Sequence, residues 1–339
     1  MANPVLVEVV RGNVVESRHR GSLVVTESGG HKLMALGDRG APVYPRSAIK
    51  LLQAIPLVMS GAADAFGCGN RELALACSSH NGEPRHTELA DAMLARAGLD
   101  ARALECGAHA PSLDRAAREL LLSGEKPSAL HNNCSGKHAG MLAVARHLGE
   151  QTKGYVRPDH PVQMRIAGII AALTGCQPTA DVCGVDGCSV PTWALPLEAW
   201  ALAFARIAGA ATTGSDELAA GRRLMAACMA EPAYVAGDKR FCTDVMAAFA
   251  GKVFVKTGAE GVFCGALPGK GIGIALKIDD GATRASEAVM AGVLGALGGG
   301  HDELLARWSR KPLRNVAGAQ VGEVRLEAEF AKTLMNVSL

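Results

Sequence analysis

The sequence predicts an α+β fold with one antiparallel sheet that is built from both ends of the chain. Segments rich in Val, Ile and Leu fill the first 40 residues and return after residue 250. The chain between them has the apolar spacing of amphipathic helices. Strands and helices that are segregated in this way indicate an α+β architecture rather than alternating βα units. No strand is followed by GxGxxG or GxxxxGKS/T, so a mononucleotide-binding fold is not expected.

The N-terminal strands are predicted from apolar runs that stop at turn signals. The first strand covers residues 5–10 and ends at Arg11-Gly12-Asn13. The others cover residues 14–17, 22–26 and 32–36. Together they predict an antiparallel meander.

The middle of the chain is predicted to be helical, with Gly or Pro at nearly every join. Leu51, Leu52 and Ile55 have helical spacing within residues 47–55. Further helices are predicted at residues 71–77, 86–97, 115–122, 137–148, 162–173, 197–207, 216–229 and 239–249. After them, strands are predicted at residues 252–256, 261–266, 271–278 and 322–329, with a helix at 284–297.

No internal repeat or low-complexity linker divides the 339 residues. We therefore expect one unit with two subdomains. A sheet subdomain would comprise residues 1–46 plus 250–339, and a mainly helical subdomain residues 47–249. A chain of this length can bury a core without disulfides.

The composition excludes several classes of protein. Lys and Arg total 35 against 33 Asp and Glu, a net charge of +2, and aromatic residues make up 4%. Nucleic-acid binders concentrate basic charge and stacking aromatics, so no nucleic-acid partner is expected. No apolar run reaches the ~20 residues of a membrane span. The first residues lack a signal-peptide pattern. We therefore expect a cytoplasmic protein without a membrane partner.

The ten cysteines are expected to be reduced thiols in that compartment. No CxxC pair is present, so a zinc ribbon or a thioredoxin-type motif is not expected. A metal site would have to be assembled from distant segments.

Ser47-Ala48-Ile49-Lys50 follows Pro45, which suits the start of a helix. The spacing places Ser47 and Lys50 on one helical face. A serine hydroxyl needs a base to act as a nucleophile. A lysine near a helix N-terminus or inside a protein is disfavoured in its charged form, so Lys50 could be that base. The alternative is a helix-capping serine beside a solvated lysine.

Lys256-Thr257-Gly258-Ala259 ends a predicted strand. An early S-x-x-K and a late K-T-G on a strand match two of the three signatures of serine β-lactamases and penicillin-binding proteins. The alternative is an ordinary Thr-Gly turn at the end of a strand.

Three more polar segments carry side chains that can do chemistry. Residues 78–84 include Ser79 and could supply a second catalytic serine, or only a turn with a helix cap. Residues 131–138 place Cys134 and Lys137 one helical turn apart. This segment could bind zinc, or it could capture an anion at a helix N-terminus. Residues 184–191 hold one thiol and one carboxylate, and a cysteine is most often a small buried group.

These segments, in this order, resemble the rhizobial-type (class 3) L-asparaginase family, also called the asparaginase II family. The resemblance covers nearly the whole chain, from residues 5–12 and 16–21 to Val321-Gly322. Its strongest matches are Pro45-Arg46-Ser47-Ala48-Ile49-Lys50, Ser79-His80-Asn81-Gly82-Glu83-Pro84, Asn133-Cys134-Ser135-Gly136-Lys137-His138, Val185-Asp186-Gly187-Cys188 and Lys256-Thr257-Gly258-Ala259-Glu260-Gly261.

The resemblance implies a fold similar to that of serine β-lactamases, penicillin-binding proteins and serine-dependent glutaminases, an α/β sandwich. It implies hydrolysis of L-asparagine to L-aspartate and ammonia by a homodimer. The implied catalytic groups are two serine–lysine dyads, Ser47–Lys50 and Ser79–Lys256.

The resemblance also implies one Zn²⁺ per subunit, with water or substrate as its fourth ligand. The three implied protein ligands are Cys134, Lys137 and Cys188. The implied substrate-binding residues are Arg46, His138 and Asp186, with the backbone N–H groups of Ser47 and Ala259 as an oxyanion hole.

On this interpretation, Ser47 attacks the side-chain amide and Lys50 takes the proton of the Ser47 hydroxyl.

Three other interpretations stay open. A β-lactamase or D-alanyl peptidase shares two of the motifs, but it acts outside the cytoplasm and has no use for the cysteine–lysine set. A serine-dependent glutaminase, or another small-amide hydrolase, would differ by as little as one methylene, worth about 1–3 kcal/mol. A non-catalytic sensor of asparagine or zinc would bind without releasing ammonia.

Overall fold

A computed structural model describes residues 2–209, 215–298 and 300–336. Its strands are β1 Val5–Arg11, β2 Val14–Glu27, β3 Lys32–Leu36, β4 Pro42–Val43, β5 Cys183–Val185, β6 Pro191–Trp193, β7 Leu195–Pro196, β8 Phe254–Thr257, β9 Val262–Leu267, β10 Ile272–Ile278, β11 Arg310–Arg314 and β12 Gln320–Leu326. Its helices are α1 Lys50–Met59, α2 Ala62–Ala65, α3 Asn70–Ala76, α4 Pro84–Arg96, α5 Asp114–Leu122, α6 Ser135–His147, α7 Pro161–Thr174, α8 Leu197–Gly209, α9 Asp216–Ala230, α10 Pro232–Val235, α11 Phe241–Phe249, α12 Thr283–Ala296, α13 Asp302–Ser309 and α14 Ala328–Met335.

Strands from the two ends of the chain form one sheet, as the sequence predicts. The order is β11-β12-β1-β2-β10-β9-β8, and β3 pairs with β2. β1 pairs antiparallel with β12, and β2 pairs antiparallel with β10. The α+β prediction is therefore confirmed.

The sequence analysis did not predict β11 of the main sheet or the short strands β4 to β7, and the strands that it did predict differ from the structure in two places. Residues 14–17 and 22–26 belong to one continuous strand, β2, because its first part pairs with β1 and its second part with β10. The predicted last strand stops at Leu326. The side chain of Glu327 accepts a hydrogen bond from the backbone N–H of Phe330, and this cap begins α14 where a strand was expected.

The chain divides into two compact units. The sheet unit comprises Met1–Ala48, Leu195–Gly209 and Val255–Leu339, and the helical unit comprises Ile49–Ala194 and Ala210–Phe254. Within the sheet unit, α8 and α12 pack on the strands. The indole N–H of Trp200 in α8 donates to the backbone carbonyl of Val43 over 3.1 Å, which ties α8 to the segment that precedes Ser47.

Helix α6 lies at the centre of the helical unit. Residues 135–145 of this helix are all buried, and α1, α3, α4 and α7 pack against it. A helix that is apolar or buried all round belongs to the core of a protein. The polar side chains at its start are therefore held inside the unit rather than at its surface.

None of the helices in the described part of the chain has the length and apolar composition that a membrane span requires.

Candidate active site

The two units carry separate groups of the residues that the sequence singled out. The helical unit holds Lys50, Ser79, Cys134, Lys137, His138, Asp186 and Cys188. The sheet unit holds Arg46, Ser47, Lys256 and Ala259. Lys50, Lys137 and Lys256 are 0%, 2% and 1% exposed, and no other lysine in the described ranges is buried. Burying an ammonium group is costly unless it has partners, so these three positions need a specific explanation.

The side chain of Lys50 reaches the loop that follows α3. Its Nζ donates to the hydroxyl of Ser79 over 2.9 Å and to the backbone carbonyl of Ser78. A longer contact of 3.4 Å joins it to the carbonyl of Asn133. The helical unit thus pairs Lys50 with Ser79, a contact that the sequence analysis did not assign. An amine within hydrogen-bond distance of a hydroxyl is placed to exchange a proton with it.

Two stacked histidines hold the Ser79 loop. The rings of His80 and His86 lie 4.7 Å apart with an angle of 12° between their planes. Nδ1 of His80 accepts from the N–H of Gly82, and Nδ1 of His86 accepts from the N–H of Glu83. A ring nitrogen that accepts from a backbone N–H carries no proton, so both rings are neutral with the proton on Nε2. Burial is the main cause that lowers the pKa of each ring.

The three implied zinc ligands lie together in the helical unit. Cys134 immediately precedes α6, Lys137 is in its first turn, and Cys188 lies within a turn in which the N–H of Asp186 donates to the carbonyl of Val190. Lys137 Nζ lies 3.1 Å from the sulfur of Cys188. The Cys188 thiol also forms a hydrogen bond with Cys134. No group of three His, Cys, Asp or Glu side chains that could hold a metal ion occurs among the described residues, and the third member of the implied set is a lysine.

The charges in this cluster depend on one another. The hydrogen bond from Cys188 lowers the pKa of Cys134 well below that of an ordinary thiol, aided by Lys50 and Lys137 and opposed by burial. The same hydrogen bond, with burial, raises the pKa of Cys188. Burial opposes the charge on Lys137, but the two thiols and Asp186 outweigh it and raise the pKa of that lysine. The two sulfurs are ligands that Zn²⁺ accepts, whereas the Lys137 amine can join them only after it has lost the proton that its raised pKa favours.

His138 presents an unpartnered nitrogen. The Tyr155 hydroxyl accepts from the N–H of Glu105 over 3.0 Å, and it lies 2.6 Å from His138 Nδ1. Nδ1 is the acceptor within reach of the phenol proton, and this hydrogen-bond pattern assigns the histidine proton to Nε2. Nε2 is buried and has no hydrogen-bond partner among the described residues. A buried donor of this kind usually has a partner, so this atom is available to a polar ligand.

In the sheet unit, the end of β8 packs against the turn that carries Ser47. A Cβ on Gly258 would lie 2.8 Å from the carbonyl oxygen of Pro45, so no larger residue fits there. Ser47 itself is half-buried, in a 3₁₀ turn over Arg46–Ile49. The Nζ of the buried Lys256 donates to the carbonyl of Thr257 over 2.8 Å. These contacts bring the first and last of the sequence motifs into one place within this unit.

A family model described as L-asparaginase II matches residues 7–326. The chain belongs to the L-asparaginase II family. A search of curated proteins found no match. The family resemblance that the motifs indicate is therefore confirmed over nearly the whole chain. Membership in the L-asparaginase II family implies an amidohydrolase that acts on the side-chain amide of asparagine.

The structure adds residues that the sequence analysis left out. Asn81 and Glu83 lie in the Ser79 segment, but they were interpreted only as parts of a loop or cap. Tyr155 and Arg240 carried no signal at all, because each reaches its partner from an element far away in the sequence. Only the folded chain shows that they contact the loop and the histidine of the candidate site.

Proposed function

We propose that this member of the L-asparaginase II family hydrolyses L-asparagine to L-aspartate and ammonia through a serine ester. The family match supports the substrate class. The hydrogen bond between Lys50 Nζ and Ser79 Oγ carries the proposal of serine–lysine chemistry, because it places a fully buried amine on a serine hydroxyl. The β-lactamase-like fold and the homodimer that the resemblance implies belong to the same proposal.

An amide is a poor electrophile and ammonia a poor leaving group, so a two-step acyl transfer divides the barrier. In the proposed first step, Ser47 Oγ attacks the side-chain amide carbon while the side chain of Lys50 accepts the hydroxyl proton. Lys50 passes a proton to Ser79, and Ser79 gives its own hydroxyl proton to the departing nitrogen. The C–N bond breaks, ammonia leaves and an aspartyl ester of Ser47 remains. In the second step water attacks this ester and gives a proton to Lys50, which passes it to Ser47 Oγ as the ester bond breaks. Aspartate is released and the Ser47 hydroxyl is regenerated.

Lys256 is the proposed partner of Ser79 in this relay, and its ammonium would favour the transient alkoxide. The backbone N–H groups of Ser47 and Ala259 are the proposed oxyanion hole. Losing one such donor typically costs roughly 3–4 kcal/mol of barrier.

Zn²⁺ would be held by Cys134, Lys137 and Cys188. When bound, it would supply a fixed positive charge that orients the α-amino and α-carboxylate end of the substrate. Because the serine–lysine groups already supply nucleophile and base, the proposal does not assign hydroxide formation to the metal. His138, through its unpartnered Nε2–H, and Arg46 are the proposed hydrogen-bond donors to the substrate, and the carboxylate of Asp186 is a proposed acceptor.

The test is ammonia release by the purified, zinc-loaded protein from L-asparagine, with L-glutamine in parallel. We expect release from asparagine that is faster than release from glutamine by roughly 10- to 200-fold, the discrimination that one methylene allows. Faster release from glutamine would instead support a serine-dependent glutaminase. Binding of asparagine by calorimetry without ammonia would contradict the enzyme proposal and support a sensor.

A further inference from the structure

Every backbone and side-chain polar atom of Ser79 contacts another part of the helical unit. Its hydroxyl accepts from Lys50, and its backbone N–H donates to the carbonyl of Val235 over 2.9 Å. Its backbone carbonyl accepts from the NH1 group of Arg240 at 3.4 Å. Two of these three contacts come from residues 235–240, which we name the clamp segment. This segment holds the peptide groups on both sides of the Ser79 Cα atom.

The same nitrogen of Arg240 makes a shorter contact nearby. NH1 donates to Oδ1 of Asn81 over 2.8 Å. The amide nitrogen of Asn81 in turn donates to the backbone carbonyl of Asp238 over 2.9 Å. Asn81 is 2% exposed, so its amide group has little room to find other partners. Arg240 and Asn81 therefore fix the clamp segment and the Ser79 loop to each other.

Two residues of the clamp segment have a left-handed backbone conformation beside this contact. Gly237 has a φ of +100°, and a Cβ there would lie 2.8 Å from Asn81 Nδ2. Lys239 also has a positive φ, of +60°. Glu83 accepts from the N–H of Asp238 over 2.9 Å and is almost fully buried. A non-glycine residue in the left-handed region costs of order 1–3 kcal/mol and persists where the surroundings hold it.

We propose that Arg240 is a positioning residue that keeps the Ser79 hydroxyl within hydrogen-bond distance of the Lys50 amine. It acts through the Ser79 carbonyl and Asn81 and does not bind substrate. This inference rests on the proposed role of Ser79 in the asparaginase reaction. A serine that is displaced by about 1 Å can lose roughly a hundredfold in rate, because proton transfer needs hydrogen-bond distance.

The test compares Arg240→Met and Arg240→Lys with Arg115→Met. Arg115 is the matched control, because it contacts Asp238 of the clamp segment over 3.3 Å and contacts neither Ser79 nor Asn81. Arg240→Met should lower kcat for asparagine roughly 10- to 100-fold with an unchanged KM. Arg240→Lys should recover part of this loss, because a single nitrogen makes both contacts. Arg115→Met should retain the wild-type kcat and KM.

Crystal structures of the Met variants give a readout that does not depend on turnover. We expect Ser79 Oγ to leave hydrogen-bond distance of Lys50 Nζ in Arg240→Met and to stay there in Arg115→Met. A retained contact, or a raised KM with the wild-type kcat, overturns the positioning role. If Arg240→Met does not fold, Arg240→Lys replaces it in the kinetic test. A lowered kcat with an unchanged KM then supports the positioning role, and a raised KM with the wild-type kcat overturns it. Wild-type protein without ammonia release, or Ser79→Ala with full activity, would contradict the proposed function instead, and the crystal structures would still test the clamp.

Discussion

Lys50 Nζ lies 2.9 Å from Ser79 Oγ, although the two residues are 29 positions apart in the sequence. The first residue of α1 thus meets the loop after α3, where the carbonyl of Ser78 also accepts from the same amine. All three groups are buried, so the contact is shielded from water. In this setting an amine can take up and return a proton without competition from solvent, which is what a serine hydrolase requires of its base.

Replacing Lys50 with methionine tests this contact. Lys50→Met keeps the length and the buried apolar stem but removes the amine, so kcat for asparagine should fall at least ~10²-fold. Lys126→Met is the control, since Lys126 is exposed on the same unit and should leave kcat near the wild-type value. Steady-state ammonia release and the thermal midpoint of each variant check the prediction. Turnover by a folded Lys50→Met protein at a rate close to wild type would contradict the role of Lys50 as base.

Replacing Ser47 and replacing Ser79 should have different effects on the reaction. Ser47→Ala removes the proposed nucleophile, so no aspartyl ester should form. Ser79→Ala removes only the proton relay, and it should slow turnover by roughly 10²- to 10⁴-fold while Ser47 can still be acylated. Quenched reactions with asparagine, digested and analysed by mass spectrometry, would locate the ester. An ester on Ser79, or near-normal turnover by Ser47→Ala, would reverse the assignment of the two serines.

The cysteine–lysine set predicts a metal effect on binding more than on chemistry. Cys188→Ser should lower the zinc content and raise KM for asparagine. Losing one charge-assisted contact costs about 1.5–3 kcal/mol, so KM should rise roughly 10- to 100-fold while kcat changes less. Cys176→Ser is the control, because Cys176 is a free thiol of the helical unit outside this set. Metal analysis and steady-state kinetics give the two readouts. A chelated enzyme with unchanged KM and a collapsed kcat would disprove the orienting role of the metal.

The stacked histidines predict a loss of stability in mild acid. Burial lowers the pKa of both His80 and His86 in the folded protein, so the unfolded chain binds more protons as the pH falls below about 6.5. Stability therefore decreases on acidification, by about 1.4 kcal/mol per pH unit for each proton that only the unfolded chain holds. Above that pH both states are neutral at these rings, and the effect disappears.

Urea unfolding at pH 7.5, 6.5 and 5.5 measures this slope. His86→Gln should be less stable at pH 7.5, and its stability should fall less steeply between pH 6.5 and 5.5. His147→Gln, which changes an exposed histidine of the same unit, should keep the wild-type slope. A wild-type free energy of unfolding that stays constant from pH 7.5 to 5.5 would contradict the prediction that both rings are buried in their neutral form.

Much of the fold could be predicted because its signals are local. The helix predicted at residues 162–173 is α7 Pro161–Thr174, since Pro161, the apolar spacing and Gly175 mark its start, face and end within one segment. The helix predicted at residues 239–249 begins instead at Phe241, because Lys239 takes a left-handed backbone to bring Arg240 to the Ser79 loop. Local helix propensity does not predict this left-handed residue, because the contact that it allows is with a loop far away in the chain.

Strained backbone near the candidate site could not be predicted from the sequence either. Six non-glycine residues in the described ranges have positive φ. Four of them, Arg46, Ser189, Lys239 and Glu260, adjoin a residue that the proposals use, whereas Ala250 and His301 do not. Such backbone conformations persist only where surrounding contacts over-determine them. Their positions could not be predicted from residue type, since none is a glycine or an asparagine.

The sequence by itself determined the α+β class, the family and the identity of the residues that could do chemistry, because residue type, spacing and order along the chain are sufficient for these. The tertiary structure decided that Lys50 meets Ser79, that the Tyr155 hydroxyl contacts Nδ1 of His138, and that Arg240 contacts the Ser79 loop. A hydrogen bond requires two atoms to lie within about 3 Å. Between residues that are distant along the chain, only the packing of the whole unit sets that distance.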